Sequence, residues 1–166
     1  MKKLIPTRKI EREIKRVAKE ISRDYRGESV TFICALSGAF MFMSELIQRL
    51  SEDVDVRIVF VKISSYGNGV RAGELKFEYE SRPIGFDENV IIIDDVYDSG
   101  QTMDYLLKKY ANAKSTKSCI LLEKKVEHRF NVDIDYKALT CEDKFIVGFG
   151  LDYAEKYRQL PYIAEI

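Results

Sequence analysis

The chain has 166 residues, 46% of them hydrophobic and 33% charged, with 27 bases balanced by 27 acids. That is the length and balance of one folded domain with a full core. It excludes a disordered tail, a collagen and a low-complexity polymer, and no apolar run reaches the ~18 residues of a membrane helix. The basic, interrupted start Met-Lys-Lys-Leu-Ile-Pro has no apolar signal core, so the expected location is the cytoplasm. Residues 1–26 hold ten Lys/Arg and four Asp/Glu, whereas residues 27–104 hold six and fourteen. The basic head reads as the solvated face of a helix and not as a nucleic-acid surface.

Ile10, Ile14, Val17, Ile21 and Tyr25 recur every three or four residues. This predicts an amphipathic helix, capped by Thr7 and ended by Gly27. Ser29–Leu36 reads as a buried strand, Phe40–Leu50 as a helix and Val54–Ile63 as a strand. Four large apolar residues, Phe40 to Met43, exceed what one helix face can bury, so part of them is expected at a subunit contact. Ser64–Gly73 reads as a loop, Leu75–Glu80 as a half-exposed strand and Arg82–Asn89 as a turn. Val90–Asp94 is a buried strand, Gln101–Ala111 a helix and Ser118–Leu122 a further buried strand. Glu127–Asp135 is loop-like, with His128 read as solvated. Tyr136–Leu139 and Phe145–Val147 are short strands, and one helical turn is expected between Asp152 and Pro161. Cys34, Cys119 and Cys141 are odd in number and far apart, so they read as free thiols.

Alternating buried strands and helices predict an α/β fold with a mostly parallel central sheet flanked by helices. Ligands of such sheets bind at the carboxyl ends of the strands. Two junctions fit, Ala35–Ala39 and Asp94–Thr102. In the second, a buried strand runs into the carboxylates of Asp94 and Asp95. A tight turn through Asp98, Ser99 and Gly100 follows, and then a helix start with Gln101 and Thr102. A helix N-terminus with hydroxyls suits a phosphate, and paired acids suit a ribose diol or a hydrated magnesium ion. A sugar phosphate satisfies both halves.

This segment resembles the phosphoribosyl diphosphate (PRPP) signature of the phosphoribosyltransferases. Leu36–Met43, Ser64–Gly67 and Asp143–Tyr162 (DKFIVGFGLDYAEKYRQLPY) resemble the hypoxanthine–guanine members. The resemblance implies the type I phosphoribosyltransferase fold as a single domain over 1–166. It also implies a small hood formed by the terminal segments, about 1–12 and 125–166, and a mobile active-site loop at about 64–74. The implied reaction is transfer of the phosphoribosyl group of PRPP to hypoxanthine or guanine, with Mg2+, giving IMP or GMP and pyrophosphate. The implied assembly is a homodimer or homotetramer. A xanthine-preferring transferase and a PRPP-sensing regulator on the same fold are the alternatives.

By the same resemblance Asp94 and Asp95 hold the ribose hydroxyls and the metal shell, and Asp98 to Thr102 surround the 5-phosphate. Asp98 is the general base at purine N7. Ser37, Gly38 and Arg158 face pyrophosphate, and Ser65 and Tyr66 form the tip of the mobile loop. Lys124, Lys144, Phe145, Ile146 and Asp152 face the purine, with Asp152 also near metal. Two departures stand out. The family's Leu-Lys-Gly-Gly or Leu-Lys-Gly-Ala loop, typically with a cis peptide, reads Leu36-Ser37-Gly38-Ala39 here. Asp94 replaces the more usual glutamate.

Overall fold

In the computed structural model, described at residues 1–65 and 73–166, two sheets form. The larger has six strands in the order β4-β3-β2-β5-β6-β7, and the smaller has three in the order β1-β9-β8. In chain order the elements are β1 (Lys2–Ile5), α1 (Thr7–Asp24), β2 (Ser29–Leu36), α2 (Phe40–Ile47), β3 (Asp55–Ser65) and β4 (Leu75–Glu80). They continue with β5 (Asn89–Tyr97), α3 (Gln101–Lys109), β6 (Ser115–Lys124), β7 (Tyr136–Cys141), β8 (Ile146–Val147) and β9 (Ile163–Glu165). All neighbours in the large sheet are parallel except the β3–β4 edge pair.

The period of a strand sorts its side chains onto two faces. Phe32 and Cys34 on β2 pair in register with Ile91 and Ile93 on β5 and pack under α1 and α2. Ile33 and Ile92, one residue out of phase, pack under α3 with Met103 and Leu106. Both faces are covered at the centre of the sheet, so β2 and β5 are largely apolar. The α1 stripe of Ile10, Ile14, Val17, Ala18 and Ile21 is fully buried. Each large member contributes roughly 1.5–3 kcal/mol by leaving water. No helix among the described residues is long and apolar enough to cross a membrane.

Several local expectations are corrected. Thr7 does not cap α1: Pro6 holds that position, and the Thr7 hydroxyl donates to the Pro161 carbonyl at 2.7 Å, tying α1 to the C-terminal segment. Proline cannot continue the chain as helix on its N-terminal side, which sets the start one residue earlier than the hydroxyl suggested. The second helix stops at Ile47, three residues short of Leu50, and β3 runs on through Ser64 and Ser65. The segment from Asp152 holds no helix. Tyr153 bridges Lys156, and Ala154, Glu155 and Tyr157 all have positive φ. β1 and β9 are additional strands that pair with each other, and β9 also pairs with β8. Of the expected hood segment 125–166, β7 belongs to the large sheet. Within the Phe40–Met43 run, Phe42 and Met43 are buried in the core and Phe40 is exposed. The three cysteines are free as expected, and burial pushes the Cys34 thiol up to about 12.

Opposite the strands' carboxyl ends, Glu88 accepts from Arg82 at 2.7 Å and from the Thr31 hydroxyl at 2.6 Å. The Arg82 hydrogen bond, acting against burial, pulls Glu88 down to about 2. A carboxylate with a depressed folded pKa stabilises the fold above its unfolded pKa, and that contribution is lost as pH falls toward the folded value. Arg82 is 38% exposed, so solvent screening reduces the contribution to about 1–2 kcal/mol. Glu88→Gln is therefore expected to lower unfolding free energy by that amount at pH 7. The difference should shrink below pH ~4.5 and vanish near pH ~2. Urea unfolding across this range checks it; a constant difference would contradict it.

Candidate active site

The sheet's carboxyl edge gathers three segments. The first follows β2, where the Leu36–Ser37 peptide is cis. Gly38 makes room there for Asp95: a Cβ on it would lie 1.7 Å from Asp95 Oδ2 and force that carboxylate to move. The second segment is the end of β5. Asp94 is buried. Its Oδ1 accepts from the Asp95 amide at 2.9 Å, and Asp95 Oδ1 accepts from the Val96 amide at 2.8 Å. Burial and the neighbouring Asp95 charge push the Asp94 pKa well up. Burial likewise raises Asp95, against hydrogen bonds and the Arg158 charge. Two adjacent carboxylates held in this way attract a cation or diol hydroxyls.

Beyond Tyr97 the chain turns through Asp98, Ser99 and Gly100 into α3. Gly100 has φ +85° and caps α3, and a Cβ there would sit 2.2 Å from the Phe130 carbonyl. The start of α3, with its first backbone N–H groups, borders a pocket of about 150 Å³ lined by Asp94, Ile120 and the 96–103 turn. Helix starts leave such N–H groups free for an anion. Ser99 Oγ accepts from the Gln101 amide at 3.3 Å, and Gln101 Nε2 donates to the Gly73 carbonyl at 2.7 Å. That bond ties the turn to the far end of the 64–74 segment. Ser65 is the last residue of β3, and Tyr66 lies outside the described residues.

What braces this turn from behind is not legible in the chain's composition or spacing. His128, expected to be solvated, stacks on Tyr97 with ring centroids 3.8 Å apart. The Asp98 carbonyl accepts from its Nδ1 at 2.5 Å, and Glu123 lies 3.3 Å from its Nε2. Phe130 donates its amide to the Ser99 carbonyl at 2.8 Å. The segment after β6 therefore clamps residues 97–100. A lone histidine among charges carries no such signal, because Tyr97 and Asp98 lie about 30 positions earlier in the chain.

Lys124 ends β6 and reaches Asp98 at 3.0 Å and Asp143 at 3.5 Å. Burial disfavours its charge, but both carboxylates together hold its pKa above the ordinary value. Asp98 itself is 54% exposed, open toward solvent. Phe145 presents a ring that is 56% exposed and edge-on to Tyr153 at 5.6 Å. Ile146 is buried in β8 opposite Glu165. Lys144 is engaged in the small sheet, pairing with Glu165 at 2.8 Å.

The third segment is the turn after β8. Arg158 donates to the Gly150 carbonyl at 2.8 Å and pairs with Asp152 at 3.0 Å. Gly150 has φ +96° and packs on the Gly38 carbonyl, which a Cβ would approach to 2.1 Å. The structure thus brings Ser37–Gly38, Asp94–Thr102, Lys124 and the 150–158 turn to one edge. It does not bring Asp152 into one metal-ligating cluster with Asp94 and Asp95; no group of three such ligands forms among the described residues. A buried and a half-buried carboxylate side by side still fit magnesium, which keeps waters and substrate oxygens in its shell and needs few protein ligands.

A family model described as a phosphoribosyl transferase domain matches residues 2–154. A bifunctional protein TilS/HprT of Listeria monocytogenes is 38% identical over 98% of this chain, but the chain spans only 25% of that relative. A hypoxanthine-guanine phosphoribosyltransferase of Bacillus subtilis is 36% identical over 98% of this chain and 91% of its own. A crystal structure of a hypoxanthine-guanine phosphoribosyltransferase from Bacillus anthracis superposes with a TM-score of 0.89 at 34% identity, covering 100% of this chain and 98% of that one.

Proposed function

The chain belongs to the phosphoribosyltransferase family, among its hypoxanthine–guanine members, and from that membership we propose a purine-salvage enzyme. It transfers the 5-phosphoribosyl group of PRPP to hypoxanthine or guanine, forming IMP or GMP and pyrophosphate. The observation that carries this reading is the shared edge of paired carboxylates, a helix-start phosphate pocket and Lys124 held against Asp98.

In the reaction, purine N9 bonds to C1 of the ribose while the C1–O bond breaks and its electron pair leaves with pyrophosphate. The proton lost at N7 passes to Asp98, whose exposed carboxylate faces the site. The 99–102 turn holds the 5-phosphate, and Asp94 and Asp95 hold the ribose hydroxyls and a magnesium shell. A magnesium ion held there would supply charge neutralisation to the leaving pyrophosphate. Arg158, fixed by Asp152 and the Gly150 carbonyl, faces the leaving group. Phe145 stacks on the base, Ile146 reads it through its main chain, and Lys124 donates to the 6-oxo group. Lys144 supports this wall through Glu165. Ser65 and Tyr66 belong to the loop that closes over the site. The reading includes a single domain with a hood, a cytoplasmic location and assembly as a homodimer or homotetramer, for which exposed Phe40 offers an apolar contact.

Lys124→Met tests the base-recognition half. Loss of a charged hydrogen bond costs about 1.5–3 kcal/mol, so KM for hypoxanthine should rise roughly 10- to 100-fold. PRPP binding by calorimetry should stay within about twofold, because Lys124 contacts none of the phosphate turn beyond Asp98. An unchanged KM for hypoxanthine would remove Lys124 from this role.

A further inference from the structure

Ser37 leaves the Leu36–Ala39 loop without a positive charge of its own. The neighbouring strand brings one. Lys62 on β3 lies opposite Leu36 in the parallel β2–β3 ladder. The β3–β4 ladder shifts register between Lys62 and Ile63, an irregularity that re-aims side chains. Lys62 Nζ donates to Ser37 Oγ at 3.4 Å in a partly buried setting.

No carboxylate lies within ion-pair distance of Lys62 among the described residues. An ammonium carries three donors, and one long bond to a neutral hydroxyl leaves it poorly compensated for its loss of water. Arg158, by contrast, is already held by Asp152 and the Gly150 carbonyl. Gly38, next to Ser37 in the loop, offers no side chain to block approach. The arrangement is a half-buried cation waiting at the edge of an anion site.

We propose that Lys62 binds the diphosphate of PRPP and the pyrophosphate product at the Ser37–Gly38 loop, supplying from β3 the charge that the loop lacks. This rests on the phosphoribosyltransferase reading. The Ser37 hydroxyl then orients the ammonium and does not itself carry the affinity.

The test is titration calorimetry of wild type, Lys62→Met and Lys62→Arg with magnesium pyrophosphate, and separately with ribose 5-phosphate. Losing a charge-assisted contact should weaken pyrophosphate at least about tenfold in Lys62→Met. Ribose 5-phosphate, held by the 98–102 turn, should stay within about twofold, and Lys62→Arg should keep pyrophosphate within about threefold. A smaller loss in Lys62→Met overturns the proposal. So does equal weakening of both ligands, or an arginine variant as impaired as the methionine one, since each marks a merely structural lysine. A wild type that binds neither ligand overturns the phosphoribosyltransferase reading itself, a result separable from failure of Lys62 alone.

Discussion

Asp98→Asn is expected to lower kcat by about 10²- to 10⁴-fold, the usual contribution of a positioned general base, while PRPP affinity changes by less than about threefold. The side chain is 54% exposed and faces Lys124 at 3.0 Å, so an amide of the same shape fits without repacking. The main chain at this position is fixed from behind by His128 and by Phe130 bonding the adjacent Ser99 carbonyl. The phosphate turn therefore keeps its geometry in the variant. What the amide cannot do is take the purine proton. Steady-state rates with calorimetric PRPP binding separate the two effects. Unchanged turnover would remove Asp98 from catalysis, and loss of PRPP binding alone would make it a ligand-binding residue.

The second large effect is expected at Gly150. A non-glycine residue at φ +96° is strained by roughly 1–3 kcal/mol. Here the new Cβ would also lie 2.1 Å from the Gly38 carbonyl oxygen, a backbone atom that cannot swing aside. Gly27 provides the control. It has φ +72° with nothing within 4 Å of its Cβ position, so Gly27→Ala carries the conformational strain without the collision. With a sensitivity of about 2–4 °C per kcal/mol for a chain this long, Gly150→Ala should melt about 5–10 °C lower. Gly27→Ala should lose less than half as much. Because the collision displaces the Gly38 backbone, which lies against Asp95, Gly150→Ala should also weaken PRPP binding, which Gly27→Ala should not. Equal melting temperatures for the two variants would show that the 148–158 turn moves freely relative to the Ser37–Gly38 loop.

How much of this was legible in the sequence depends on where each signal is stored. Ser29–Leu36 was read with its observed bounds because a strand buried on both faces is a continuous apolar run, and polar residues mark its end. Asp94 to Thr102 was legible because strand, acids, glycine and helix start are contiguous. β1 and β9 were invisible, being four and three residues long with charged members, and they exist through pairing with each other across the whole chain. The 152–160 segment looked helical by composition. It is a turn because Ala154, Glu155 and Tyr157 adopt positive φ, a choice that non-glycine residues do not advertise. His128 and Lys62 contact Asp98 and Ser37, partners 30 and 25 positions away in the chain. Their roles emerge only from strand order. Lys144 followed the family motif to the purine wall, yet its ammonium is spent on Glu165.

The most direct measurement is nucleotide formation from hypoxanthine, guanine and xanthine, each with PRPP and magnesium, using the wild-type protein. Rapid IMP and GMP formation with stoichiometric pyrophosphate is expected, abolished when magnesium is chelated. No product from hypoxanthine or guanine, with PRPP still bound, would contradict it and leave a protein that senses PRPP without transferring it.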